Sequence, residues 1–207
     1  MYLDEKLVQI ELKKSAVPDS NEEIERIKEE ILRQEREQKP IADFVAELND
    51  QKVVIRGMEY DCEKQSFLNG HIGLYMFPQD IEKIMEEDQA VSIVYNTLEA
   101  GVNLMLVKGP LVIKNEKEYQ NKMKEQFRKD KISYAPLDTG RLRCGDTKVS
   151  YASGITTSTV GGVFVIHFYY PCKAGIILGS FTCRLLERYT FEHLFLAMLE
   201  TISRKED

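Results

Sequence analysis

The chain has 207 residues, an apolar fraction of 43% and a formal net charge of -6. This composition supplies one globular core, and the acidic balance argues against a nucleic-acid-binding face, which would be basic. No segment approaches the roughly 20 apolar residues that cross a bilayer, and no signal-like apolar stretch follows Met1. We therefore expect a soluble, cytoplasmic protein that binds neither nucleic acid nor membrane.

Cysteine spacing bears on the redox compartment and on metal binding. The four cysteines are Cys62, Cys144, Cys172 and Cys183, and no two form a C-x-x-C pair. Structural zinc sites usually contain such close pairs, and cytoplasmic thiols stay reduced. We expect free cysteines packed as small apolar residues, with no metal and no cofactor.

The first forty residues differ from the remainder and are interpreted as an appendage. Residues 6–14 alternate apolar and polar side chains, which predicts a short strand. A capping box at Ser20 then predicts a charged helix that ends before Pro40. The helix has a narrow apolar stripe that consists of Ile24, Ile27 and Ile31. This stripe is a candidate surface for the rest of the domain, for a second copy or for a protein partner.

Residues 41–207 are predicted to form one α+β domain. A short helix is expected at 41–48, strands at 53–62, 70–77, 91–97 and 102–107, and a short helix after Pro78 that aligns Ile81, Ile84 and Met85. A helix capped by Asn115 covers 115–130, and one or two weak strands lie within 141–155. The strongest strands, 163–170 and 175–183, form a hairpin. Thr190 is expected to cap the final helix, which carries a full apolar stripe. Short connections favour antiparallel pairing of about six or seven strands.

The end of the chain resembles a known family. Gly175 begins an apolar strand that contains the sequence G-S-F-T-C, and a charged loop leads into the helix from Thr190 to Ile202. This order of elements is similar to the last strand and helix of PsbP-like domains, which include photosystem II subunit P and an import factor that binds the GTPase Ran. The resemblance covers roughly residues 41–203 and implies an α/β/α sandwich with a role in binding rather than catalysis.

Three functional interpretations remain open. The first is a non-catalytic interaction protein without enzymatic activity, and its candidate binding residues are Ile24, Ile27, Ile31 and the charged loop residues Arg184, Glu187 and Arg188. The second is a small-ligand protein with a sheet-face pocket lined by Phe164, Phe168, Tyr169 and Tyr170. The third is a thiol hydrolase, or a zinc site, that uses His167 with Cys172 or Cys183. His193 is expected to face solvent.

Overall fold

The computed structural model describes residues 33, 35, 37–108, 115–145, 147–158 and 161–203. Within them lie three α-helices: α1 (Ile41–Asn49), α2 (Glu116–Lys129) and α3 (Arg188–Glu200). The predicted strand of residues 6–14 and the predicted isoleucine stripe lie outside the described residues.

Two small hairpins follow α1. The first pairs β1 (Lys52–Ile55) with β2 (Met58–Asp61), and the second pairs β3 (Glu63–Phe67) with β4 (Ile72–Met76). The prediction of one strand over 53–62 was therefore wrong. Arg56 and Gly57 have φ angles of 53° and 76°, the left-handed conformation of a two-residue hairpin turn.

The main sheet has seven antiparallel strands in the order β5-β6-β7-β11-β10-β9-β8. Its strands are β5 (Ile81–Glu87), β6 (Ala90–Tyr95), β7 (Ala100–Val107), β8 (Tyr134–Cys144), β9 (Thr147–Ser158), β10 (Gly161–Cys172) and β11 (Gly175–Arg184). The α+β class and the antiparallel sheet are confirmed. The sheet has hairpins at β5–β6–β7 and β8–β9–β10–β11, and β7 meets β11 between them.

The segment after Pro78 was predicted as a helix, and this prediction was wrong. Pro78–Asp80 forms a single 3-10 turn, and Ile81 then begins β5. The spacing of Ile81, Ile84 and Met85 fits a helix face, but pairing with β6 places Met85 opposite Ser92. Backbone pairing at the sheet edge overrides a short periodic pattern.

One face of the sheet packs against α3. Phe168 stacks on Phe181 with ring centroids 5.4 Å apart, and Phe181 stacks on Phe195 of α3 at 5.0 Å. All three rings are almost fully buried. The helix starts at Arg188 rather than after Thr190, because a 3-10 turn at Leu185–Glu187 leads directly into it. On its outer side, α3 contacts α1.

The opposite face packs against α2 over strands β8, β9 and β10. Asn115 Oδ1 accepts the Glu118 backbone N–H at 2.9 Å, which confirms the predicted cap. Tyr119 contacts Tyr169 at a centroid distance of 5.3 Å, and Phe127 stacks on Tyr134 at 4.6 Å. The sheet is therefore layered between α2 and α3.

Candidate functional site

A groove of about 590 Å³ lies between the β1–β2 hairpin, the chain that enters α1 and the start of α3. We call it the hairpin groove. Its charged lining residues are Arg33, Glu37, Lys39, Arg56 and Glu187, and its apolar ones include Phe44, Val54, Ile55 and Tyr189. Charges of both signs thus surround an apolar floor, which is an arrangement suited to binding a polypeptide.

Hydrogen-bonded and non-hydrogen-bonded residue pairs alternate along an antiparallel hairpin, and this alternation determines the direction of each backbone N–H and C=O group of β1. Ile55 is paired with Met58 across the two-residue turn, so these residues exchange backbone hydrogen bonds. Val54, opposite Glu59, is the next pair and belongs to the non-hydrogen-bonded type. The N–H and C=O of Val54 therefore point away from β2, toward the outer edge of the hairpin.

An ion pair covers this outer edge. The Glu47 carboxylate accepts the Val54 N–H at 3.0 Å, and Lys39 Nζ donates to the Val54 carbonyl at 2.8 Å. Lys39 and Glu47 also contact each other at 2.7 Å. Together the two side chains satisfy both outward backbone groups of Val54, as a residue of a neighbouring strand would do.

Arg56 holds the tip of the hairpin against the rest of the domain. Its Nη2 donates to the Thr97 carbonyl at 3.0 Å, and its Nη1 lies 3.6 Å from the Glu187 carboxylate. The guanidinium also lies 5.7 Å from the Phe191 ring centroid. These contacts fix the position of the β1–β2 turn, which forms one side of the groove.

Two further groups lie at the entrance to α1. The Nε2 of Gln38 is enclosed and has no hydrogen-bond partner among the described residues. His193 Nδ1 lies 2.7 Å from the Lys39 carbonyl, so the expectation that His193 faces solvent was wrong. Its ring reaches across from α3 and fixes the chain beside Lys39.

The predicted charged cluster of Arg184, Glu187 and Arg188 is divided by the structure. Only Glu187 lines the groove. Arg184 pairs with Glu99 at 2.7 Å on the surface. Arg188 is 12% exposed, contacts Glu192 at 2.9 Å and lies 5.5 Å from the Phe164 ring centroid, so its role is packing within the domain.

The proposed pairing of His167 with a cysteine is contradicted by the sheet register. Ser180 is the β11 partner of His167, and Phe164 is the partner of Cys183. Since successive side chains alternate between faces, His167 lies on the α2 face, whereas Cys172 and Cys183 lie on the opposite face. The same geometry removes the zinc hypothesis that combined these residues. The described residues contain no cluster of three metal-ligating side chains.

His167 lies instead in an aromatic layer beneath α2. Its ring centroid is 5.4 Å from that of Phe127 and 6.2 Å from that of Tyr134. Its Nε2 is buried without a hydrogen-bond partner within the described part of the chain. Burial lowers the pKa of His167 to about 4, so the ring is neutral at physiological pH.

The four aromatic residues predicted to line a ligand pocket do not share one. Phe164, Phe168 and Tyr170 are buried on the α3 face, where Phe168 stacks on Phe181. Tyr169 lies on the other face, against Tyr119. Alternation along β10 separates them, and they serve as core on both sides of the sheet.

The main groove residues were missed by sequence analysis. Lys39, Val54 and Arg56 line the groove, and Glu47 lies beside it against Val54. These residues come from three segments that meet where α1 packs on β1. One local signal was available: Arg56-Gly57 interrupts two apolar alternations and is typical of a hairpin turn. None of the described helices is long and apolar enough to cross a membrane.

Comparison with known proteins bears on the fold. No protein-family model and no curated protein matches the chain. The solution structure of cyanobacterial PsbP (CyanoP) from Synechocystis sp. PCC 6803 has a TM-score of 0.57 and 7% identity, over 73% of this chain and 94% of that chain. A Pseudomonas aeruginosa protein of unknown function, PA94, has a TM-score of 0.47 and 7% identity, over 70% of this chain and 99% of that chain. At this identity the similarity concerns architecture alone, and the chain has a PsbP-like fold.

Proposed function

We propose that this chain is a non-catalytic interaction protein that binds a protein partner in the hairpin groove. The observation that carries the proposal is the covered edge of β1 beside an apolar floor with charges of both signs. A backbone edge and mixed charges are features that a polypeptide can satisfy simultaneously.

The distribution of perturbed titratable groups supports a non-catalytic role. Active sites usually concentrate such groups in a cleft. Here burial lowers the pKa of His167 and raises the pKa of Cys183 and Tyr119. None of these residues lines the hairpin groove, and we attribute each shift to core packing.

We further propose that the protein acts in the cytoplasm. All four cysteines are free thiols, which is typical of proteins in a reducing compartment. Self-association through Ile24, Ile27 and Ile31 is proposed as a separate property of the N-terminal segment, which lies outside the described residues.

Two matched valine substitutions test the groove. Val54 and Val94 are each 40% exposed on a strand, but only Val54 lines the groove. We expect wild-type protein and Val94→Arg to capture the same partner from native lysate after crosslinking, and Val54→Arg to lose capture by roughly tenfold or more. If Val94→Arg lost capture of the partner and Val54→Arg retained it, the interface would lie on the exposed side of β6 around Val94, and the proposal would be contradicted.

A small-ligand function is the second candidate, and the groove volume favours it. About 590 Å³ falls within the range typical of small-molecule sites, about 300–1,000 Å³. A ligand panel tested by thermal shift distinguishes the two, because a ligand that binds the folded state raises the melting temperature. A ligand whose stabilisation is lost in Val54→Arg and retained in Val94→Arg would favour this alternative.

A further inference from the structure

We infer that the partner contributes an extended segment that adds to the outer edge of β1 as a new strand and displaces the Lys39–Glu47 ion pair from Val54. The inference rests on the proposed function and specifies how the hairpin groove recognises its partner.

The first step concerns the backbone N–H and C=O groups at the outer edge of β1. β1 and β2 form a sheet of two strands, so β1 has no strand partner on its outer side within the described part of the chain. Val54 presents its N–H and C=O there, and the same alternation places the backbone groups of Lys52 at this edge. Unpaired edges of this kind accept an additional strand.

The second step concerns the two side chains, Lys39 and Glu47, that now occupy this edge. Glu47 supplies one acceptor and Lys39 one donor to a single residue, Val54. One residue of an added strand supplies the same pair, a C=O and an N–H. The Lys39 and Glu47 side chains are 25% and 29% exposed, so water reaches the pair and offsets part of the free-energy cost of separating it.

The third step identifies the occupant. Glu47 and Lys39 present Val54 with one acceptor and one donor, the same two groups that a residue of an extended chain presents along its backbone. The occupant is therefore an extended peptide segment that is recognised mainly through its main chain.

The test begins with a random library of short linear peptides displayed on phage. Peptides are selected for binding to the full-length wild-type chain, and those that also bind the Val54→Arg variant are removed. The Val94→Arg variant is the positive control and should bind the selected peptides. The strongest binder is then resynthesised with an N-methyl group at each backbone amide in turn. We expect methylation at alternate amides to weaken binding roughly tenfold or more, with little effect at the amides between them, because only alternate N–H groups face β1.

A second variant examines displacement. Lys39→Met combined with Glu47→Met removes both the donor and the acceptor that cover Val54 while retaining side chains of similar length. We expect the double variant to bind the same peptide more tightly, by up to about fivefold, because the edge no longer has to be uncovered. Weaker binding by this variant would overturn displacement, since it would mean that the ion pair itself contacts the peptide.

The outcomes separate the inference from the proposed function. Peptides that bind wild-type protein but not Val54→Arg, and that tolerate every N-methylation, would overturn strand addition and leave groove binding intact. Failure to select any peptide would overturn strand addition, and equal binding to Val54→Arg would overturn both. In the peptide-free chain, a nuclear Overhauser contact between the Val54 amide and residues 1–32 would assign the edge to this chain's own segment and would also overturn the inference.

Discussion

The Glu47 carboxylate on α1 accepts the backbone N–H of Val54 on β1 at a distance of 3.0 Å. This side-chain contact occurs where a sheet would ordinarily continue with another strand. Because Lys39 completes the arrangement at the Val54 carbonyl, two side chains of opposite charge cover the edge. Covering an edge in this way limits unspecific pairing with other chains.

Removal of the Glu47 carboxylate from the Val54 edge should lower the free energy of unfolding only slightly. For Glu47→Ala we expect a loss of less than about 1 kcal/mol, because water can reach the half-exposed Val54 edge and replace the carboxylate. Urea denaturation should show a slightly lower midpoint with an unchanged m-value. A loss well above this range would mean that the ion pair is a main support of the hairpin.

Stability should depend on pH through His167. Burial depresses its pKa to about 4 in the folded state, whereas an unfolded histidine titrates near 6.5. Below pH 6.5 the unfolded chain binds the proton first, so the contribution of this group is complete above pH 6.5 and falls by about 3 kcal/mol as pH decreases toward 4.

We expect His167→Phe to reduce the slope of unfolding free energy against pH over this interval. Val165→Ala is the matched control, since Val165 is buried on the same strand and face but does not titrate. The control should lower stability at every pH and retain the slope. Equal slopes for wild-type protein and His167→Phe would contradict the assignment.

Thiol reactivity should follow burial. Burial raises the pKa of Cys62 and Cys144 to about 11 and raises that of Cys183 as well, so few of these thiols are ionised at pH 8. Cys172 is only partly buried. In an Ellman titration of the native protein we expect Cys172 to react first and the others only in denaturant. Persistence of the rapid phase in Cys172→Ser would contradict this order.

Gly179 and Phe168 should be energetically coupled. They are opposite each other on β11 and β10, and a Cβ at position 179 would collide with the Phe168 ring. We expect Gly179→Ala to destabilise the protein by about 1–3 kcal/mol. The cost of adding the methyl group should be smaller in a Phe168→Leu background, as measured by a double-mutant cycle. Additive effects would show that the ring does not occupy this space.

The N-terminal stripe should promote self-association. We expect Ile24→Ser, Ile27→Ser and Ile31→Ser together to lower the apparent mass in sedimentation equilibrium, because the apolar contacts between copies would be lost. Glu29→Ser is the control at a charged position on the opposite side of the predicted helix and should leave the mass unchanged. A monomeric wild-type protein would contradict this prediction.

Periodicity and capping determined much of the architecture. The helix capped by Asn115, the apolar final helix and the β10–β11 hairpin were predicted correctly, because each has a long run in which side-chain spacing and local propensity agree. The prediction of weak strands within 141–155 was too short, since β8 begins at Tyr134 and β9 extends to Ser158. The other segments that failed are short. Residues 53–62 and 81–87 could be assigned only after pairing partners were known, since a few apolar residues fit either a helix or a strand.

Alternation on a sheet explains why the candidate sites could not be selected in advance. His167 and Cys172 are close in sequence, yet an odd separation along an extended strand places them on opposite faces. The α+β class and the order of most elements followed from the sequence alone, through spacing that repeats within each segment. The hairpin groove, which Lys39 and Val54 line beside Glu47, was decided only by tertiary structure, because its contacts join segments whose relative positions depend on how α1 packs against β1 and α3.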